Sequence, residues 1–285
     1  MTPETTPQAL VRRACAGDAE ALDAVLRSIK DDVYGLALRM LGTPPDAEDA
    51  TQEILTRVAT HLGEFRGEAA LSTWVWRIAV RHLGRTRRSA REQMVSFDVV
   101  AAMIHEGDGR AIPPVETAED RLRAEEVKIG CTGAMLLSLD RDLRVAWALA
   151  EVFELSGDDA AAVLGISPAA FRKRLQRARE KLGGFLSAHC GLANPRRACR
   201  CPRQLETNLA HGTIDLDNLL FAVHPAHAPP RRAARQRLAE VDAIERAAQV
   251  LLSHPDYVAP ERLIPAVRAI VTDRAWQMFS DEGAP

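Results

Sequence analysis

Arg172, Lys173, Arg174 and Arg177 fall within six residues, and Arg179 and Lys181 follow closely. A cation run this dense attracts phosphate, and the planar fork of arginine can also pair with a guanine edge. A second run, Arg77, Arg81, Arg85, Arg87, Arg88 and Arg91, carries +6 with no acid between Ala69 and Arg91. Trp74 and Trp76 stand beside it, and unpaired bases stack on such rings. Asp46, Glu48, Asp49 and Glu53 form the opposite, a −4 block without a base. These acids suit a helix N-terminus, and equally a basic protein surface. The last reactive group is thiol. Cys190, Cys199 and Cys201 lie within twelve residues of HCGLANPRRACRC, with Cys131 as a fourth candidate ligand and His189 or His211 as substitutes. Four Cys or His side chains close a structural zinc site. The same cysteines also admit a redox switch or an unreactive structural role. Their neighbours Asn194, Pro195, Arg196, Arg197 and Arg200 argue against a core position and for thiolate character.

The first basic run needs a scaffold, and its flanks supply one. In LSGDDAAAVLGISPAAFRKRLQRAREKL (Leu155 to Leu182), Gly165 ends one helix and Ser167 caps the next. Pro168 occupies the first helical position, where its missing N–H costs nothing. Phe171, Leu175, Ala178 and Leu182 then share one face, leaving the cations on the others. This is a helix–turn–helix: one side packs, the other enters the major groove.

Upstream, apolar spacing predicts a helix over residues 8–30 with Cys15 on its apolar side, and another over 31–41 ending at Gly42. Thr43-Pro44-Pro45-Asp46 is a helix-start signal. A fourth helix covers about Ser72 to Arg88; there Trp74 reads as a core residue and Trp76 as the exposed one. Residues 92–128 hold nine acids against four bases, a net of −5, and read as a mostly extended linker. A second helical domain covers about 129–188. The cysteine-containing joint and a helical extension fill 189–285, with helices near 215–223, 232–253 and 260–279. The fold class is therefore all-α. The overall net charge of −2 conceals this segregation, and local positive charge is what a polyanion meets.

An acidic helix, a Trp-bearing basic helix, an acidic linker and a basic helix–turn–helix follow one another in that order. The stretches YGLALRMLGTPPDAEDATQEIL, FRGEAALSTWVWRIAVRHLGRTRR and SLDRDLRVAWALAEVFELSGDDAAAVLGISPAAFRKRLQRAREKL carry the pattern. In them the chain resembles the bacterial RNA polymerase sigma factors of the extracytoplasmic-function (ECF) type, over its first two-thirds. The resemblance implies two helical sigma-type domains (8–91 and 129–188) joined by the acidic linker. It implies that Asp46, Glu48, Asp49, Gln52 and Glu53 dock on core polymerase. Arg66, Trp76, Arg77, Arg81, Arg85, Arg87 and Arg88 would recognise and open the −10 element. Ser167, Arg172, Lys173, Arg174 and Arg177 would read the −35 element. Phe171 stands where the family usually has a smaller β-branched residue. The implied partners are core polymerase, promoter DNA and an anti-sigma factor.

The alternative is a free-standing helix–turn–helix regulator that does not bind polymerase, but such a protein needs neither the acidic helix nor the Trp/Arg helix. No P-loop, Rossmann glycine pattern, nucleophile elbow or H-E-x-x-H occurs, so no catalytic site is expected. No cofactor is required beyond the zinc reading. No apolar run is long enough for a membrane span and the first residues do not read as a signal peptide, so a cytoplasmic protein is expected.

Overall fold

The computed structural model describes residues 6–221, 249–254 and 256–281, and the regular elements among them are helices. The first two differ from the sequence expectation. Helix α1 (Pro7–Cys15) stops early, Gly17 takes φ +90°, and Asp18 starts α2 (Ala19–Leu41). The Asp18 carboxylate accepts the backbone N–H groups of Glu20 and Ala21, both at 3.0 Å. Its Asx geometry breaks a pattern whose apolar spacing is continuous. Cys15, expected in the core, ends α1 and is exposed. Helix α2 then runs unbroken through the boundary expected at 30.

Helix α3 (Pro44–Thr60) starts as expected, with the Thr43 hydroxyl accepting from the Asp46 N–H. Helix α4 (Leu71–Arg85) completes the first unit. Leu26, Leu36, Ile54, Leu55 and Leu83 are fully buried among these helices.

The acidic segment is mostly helical, which corrects the extended linker. Ser89 and Ser96 cap α5 (Ala90–Met94) and α6 (Phe97–Asp108). Thr117 and Asp120 form a reciprocal capping box that starts α7 (Ala118–Leu137). Several of the segment's acids are thus helix-start residues, and Val100 and Ile104 bury an apolar face. Residues 111–116, and the short break at Val95 and Ser96, match the extended expectation.

Helix α8 (Arg141–Trp147) runs into a wide turn over Ala148–Val152. Helices α9 (Gly157–Leu164) and α10 (Pro168–His189) follow, then the short α11 (Leu205–Ala210) and α12 (Leu263–Asp281). Residues 215–221 are turns rather than the expected helix. The joint at 224–232 and most of the helix expected over 232–253 lie outside the described residues; 249–252 are helical. No described helix is long and apolar enough to cross a membrane.

His254 ties the C-terminal segment into this body. It is buried, its Nε2 meets the Thr132 hydroxyl, and its Nδ1 lies 3.3 Å from the Tyr257 hydroxyl. Burial, helped by Arg39 and Lys128, pushes its pKa down to about 3. The folded protein therefore refuses a proton that the unfolded chain accepts below about 6.5. The contribution of His254 is complete above that pH and is lost progressively as pH falls toward 3, at up to about 1.4 kcal/mol per pH unit. Urea unfolding between pH 7 and 5 should show this slope. His254→Gln should flatten it; an unchanged slope would show that His254 is not the titrating group.

Candidate nucleic-acid and polymerase interfaces

The helix–turn–helix forms as its caps require. Gly165 takes φ +65° and the Ile166 N–H bonds the Ala161 carbonyl at 3.1 Å. Ser167 Oγ accepts the Ala170 N–H at 3.2 Å and starts α10. Phe171, Ala178, Leu182 and Leu186 form the buried face. Phe171 is fully buried and lies against Gly157 at the start of α9, so its extra bulk is in the core and not on the exposed side of α10. Arg172, Lys173 and Arg177 are exposed together with Ser167. Arg174 is half-buried and held 3.1 Å from Asp142. Arg179 pairs with Glu151, and Lys181 lies 3.6 Å from Asp140. Among the described residues no ion pair engages Arg172, Lys173 or Arg177, so these are the cations of α10 able to meet DNA without breaking such a contact.

On α4, Arg77, Arg81 and Arg85 recur every four residues and form one exposed stripe. Arg87 and Arg88 extend it beyond the helix end, and Arg66 stands exposed in the preceding loop. The two tryptophans reverse the expectation. Trp76 is 5 % exposed and packs on Phe153, with ring centroids 4.5 Å apart. Trp74 is only partly buried, against Phe65. The reason is non-local: Phe153 follows α8 in the second unit, which closes over the Trp76 side of α4.

On α3, Asp46, Asp49 and Glu53 lie on the exposed face. They line an open cleft of about 390 Å³ with Arg57, His82, Arg85 and Arg87. Glu48 and Gln52 lie on a flank that is half covered. The five acidic-helix candidates therefore divide between two faces.

Two arginines without an expected role hold the halves together. Arg141 donates to both carboxylate oxygens of Glu92, at 2.8 and 2.6 Å. It also reaches the Leu83 and Thr86 carbonyls at the end of α4. Arg144, almost fully buried, bonds Glu92, the Met40 carbonyl of α2, and the carbonyls of Leu136, Leu137 and Leu139. The ends of three helices, each with orphan carbonyls, are thus capped by two guanidiniums. Burial raises the Glu92 pKa, but the Arg141 hydrogen bond and the two positive charges outweigh it and keep the carboxylate ionised. The Arg–x–x–Arg spacing and the first acid of the linker were the available sequence signals.

Comparison with known proteins follows the same division. Residues 25–93 match Sigma-70 region 2, and residues 129–182 match Sigma-70 region 4. The RNA polymerase sigma-H factor of Pseudomonas aeruginosa is 32 % identical over 187 residues, spanning 64 % of this chain and 94 % of that one. The chain belongs to the ECF sigma factors. The ECF sigma-E factor of Escherichia coli K12 is similar at 29 % identity, over 64 % of this chain and 95 % of its own length. Among solved structures, CnrH in complex with the cytosolic domain of CnrY aligns with a TM-score of 0.44 at 24 % identity, over 63 % of this chain and 96 % of that chain. The sigma factor is thus a promoter-specificity subunit that binds core RNA polymerase and promoter DNA.

Beyond residue 182, where the region 4 match ends, the sigma factor carries a further segment, and it returns to the first unit. Lys30 donates to the Ala259 carbonyl at 3.2 Å, and the Ala259 N–H donates to Asp31 at 2.9 Å. Arg39 lies over the rings of Phe153 and Tyr257, joining both units and the C-terminal segment. Helix α12 packs along α3, with Leu263, Ile264 and Val267 buried. Around this contact Arg262 pairs with Glu48, Glu261 with Lys30 and Arg27, and Arg268 with Asp23.

The cysteines also fall differently from expectation. Cys190 and Cys199 are buried parts of the core, and Cys131 packs against it. Burial pushes Cys131 well above the usual thiol range, Cys199 up to about 11 and Cys201 up to about 12. The polar neighbours face outward while α7 closes over the sulfurs, so Cys131, Cys199 and Cys201 lack the expected thiolate character.

Proposed function

We propose that this ECF sigma factor divides its work among three faces and rests in a closed form. Asp46, Asp49 and Glu53 are the core-polymerase contact. Arg77, Arg81, Arg85, Arg87 and Arg88, with Arg66, hold the −10 region, and Trp76 joins them only when uncovered. Arg172, Lys173 and Arg177, around the capped start of α10, read the −35 element. The protein has no catalytic site of its own and acts in the cytoplasm. Elements centred about 25 base pairs apart are separated by about 85 Å of duplex at 3.4 Å per base pair. The Trp76–Phe153 contact, which keeps the two DNA-binding units packed together, carries this reading: they must separate before both elements are held.

Helix α12 would restrain the first step, because it occupies the Glu48 flank of α3. A separate anti-sigma factor that bound this flank would compete with α12. Pull-down with core polymerase and a run-off transcription assay test the overall reading. Failure of both would return the protein to the class of free-standing regulators.

Base reading by α10 has its own test. Arg172→Ala or Arg177→Ala should weaken binding of a −35 duplex by about 1–3 kcal/mol where the lost contact is to a base. A phosphate contact would instead weaken all duplexes alike and flatten the salt dependence. Arg174→Ala should cost less, since Arg174 is engaged by Asp142. Equal binding by all three variants would place the recognition face elsewhere.

A further inference from the structure

The thiol cluster is the chemically distinct feature that promoter binding does not use. Cys131 comes from α7, Cys190 from the end of α10, and Cys199 and Cys201 from the turn before α11. Cys131 stands 59 positions before Cys190, yet all four cysteines line one cavity of about 20 Å³. That is room for about one atom the size of a water. Its other walls are largely aliphatic: Ile104, Val127, Met135, Leu192 and Val250.

From this convergence we propose that Cys131, Cys190, Cys199 and Cys201 are the ligands of one structural zinc ion. The donor set fits: four sulfurs around one small, largely aliphatic pocket, with Lys128, Thr132 and Gln204 also on its walls, suit a soft-tolerant tetrahedral cation that needs no open position. Among the described residues no group of three or more His, Cys, Asp or Glu stands close enough together to hold a metal ion as they are, so the four thiols would have to move together to bind one. The ion itself would draw the four sulfurs to about 2.3 Å, as each gives up its proton. Gly191 is needed for the loop's close return: a Cβ there would stand 2.1 Å from the Cys199 carbonyl.

Two other uses of the cluster fit less well. A peroxide-sensing thiol needs an exposed thiolate, and here Cys190 and Cys199 are buried. An inert core role does not explain four thiols around one hole. Bound zinc would clamp the C-terminal end of α10 to α7 and fix where the C-terminal extension departs.

The test uses the full chain, purified under reducing conditions without chelator. About one equivalent of zinc should accompany it. The four thiols should resist a thiol reagent until a strong chelator is added, while exposed Cys15 reacts at once. Protein stripped of zinc should take up Co²⁺ stoichiometrically, showing thiolate-to-cobalt charge transfer and the visible bands of a tetrahedral site. Cys199→Ser/Cys201→Ser should lose these signals, and Cys15→Ser should keep them. Should the double variant fail to fold, the cobalt spectrum of the wild-type chain decides alone. Metal-free protein that takes up no Co²⁺ overturns the proposal. So does a disulfide among the four in freshly reduced protein, or metal retained in full by the double variant.

Discussion

Arg144→Met should destabilise the sigma factor by about 3–5 kcal/mol, the cost typical of removing one partner from a buried ion pair. The guanidinium makes five hydrogen bonds, four of them to the carbonyls of Met40, Leu136, Leu137 and Leu139. Methionine fills similar volume but donates nothing, so those carbonyls lose their partner in a dry environment. Glu92 would keep Arg141 alone. Glu92→Gln should cost less, because an amide still accepts from Arg141 and leaves no buried carboxylate. Urea unfolding measures both. A structural reading has a second readout: the residues joined span α2, α5, α7 and α8, so the variant should also be more expanded by small-angle X-ray scattering. A loss below about 1 kcal/mol would mean that Arg144 is hydrated in solution and that the latch does not hold.

How far the sequence reaches is shown by which residues it placed. Gly165, Ser167 and Pro168 were legible because caps are local chemistry: each acts on backbone groups within a few residues. The same holds for Thr43 at the start of α3. Trp76 was not legible, because its surroundings depend on Phe153, 77 positions later. Periodicity says that two residues differ in face, not which face a second unit will cover. The linker failed for a related reason. Its acids read as solvated charge, but Asp120 is part of a capping box and Glu92 is a buried counter-ion. The cysteines were judged from polar sequence neighbours, whereas their burial comes from α6 and α7. Family membership was readable from the order of the charged helices, since that order does not depend on how the units close.

Charge on α3 should set affinity for core polymerase in both directions. Asp46 and Asp49 are exposed, so reversing both to Lys removes two attractions and adds two repulsions without disturbing the core. Binding should fall at least tenfold, about 1.4 kcal/mol, mostly through slower association. The deficit should shrink as salt rises, because exposed charges are screened within about 10 Å at 0.1 M. Arg262→Glu should act the other way. It replaces the Arg262–Glu48 pair with a repulsion and weakens the hold of α12 on the same helix. If α12 and polymerase compete for α3, this variant should bind core more tightly than the wild type and give more run-off transcript. The two variants share a chain, a fold and an assay, so opposite signs cannot arise from general destabilisation. Weaker binding in both would show that α12 supports the docking face instead of covering it. Unchanged binding by a folded Asp46→Lys/Asp49→Lys protein would remove α3 from the contact altogether.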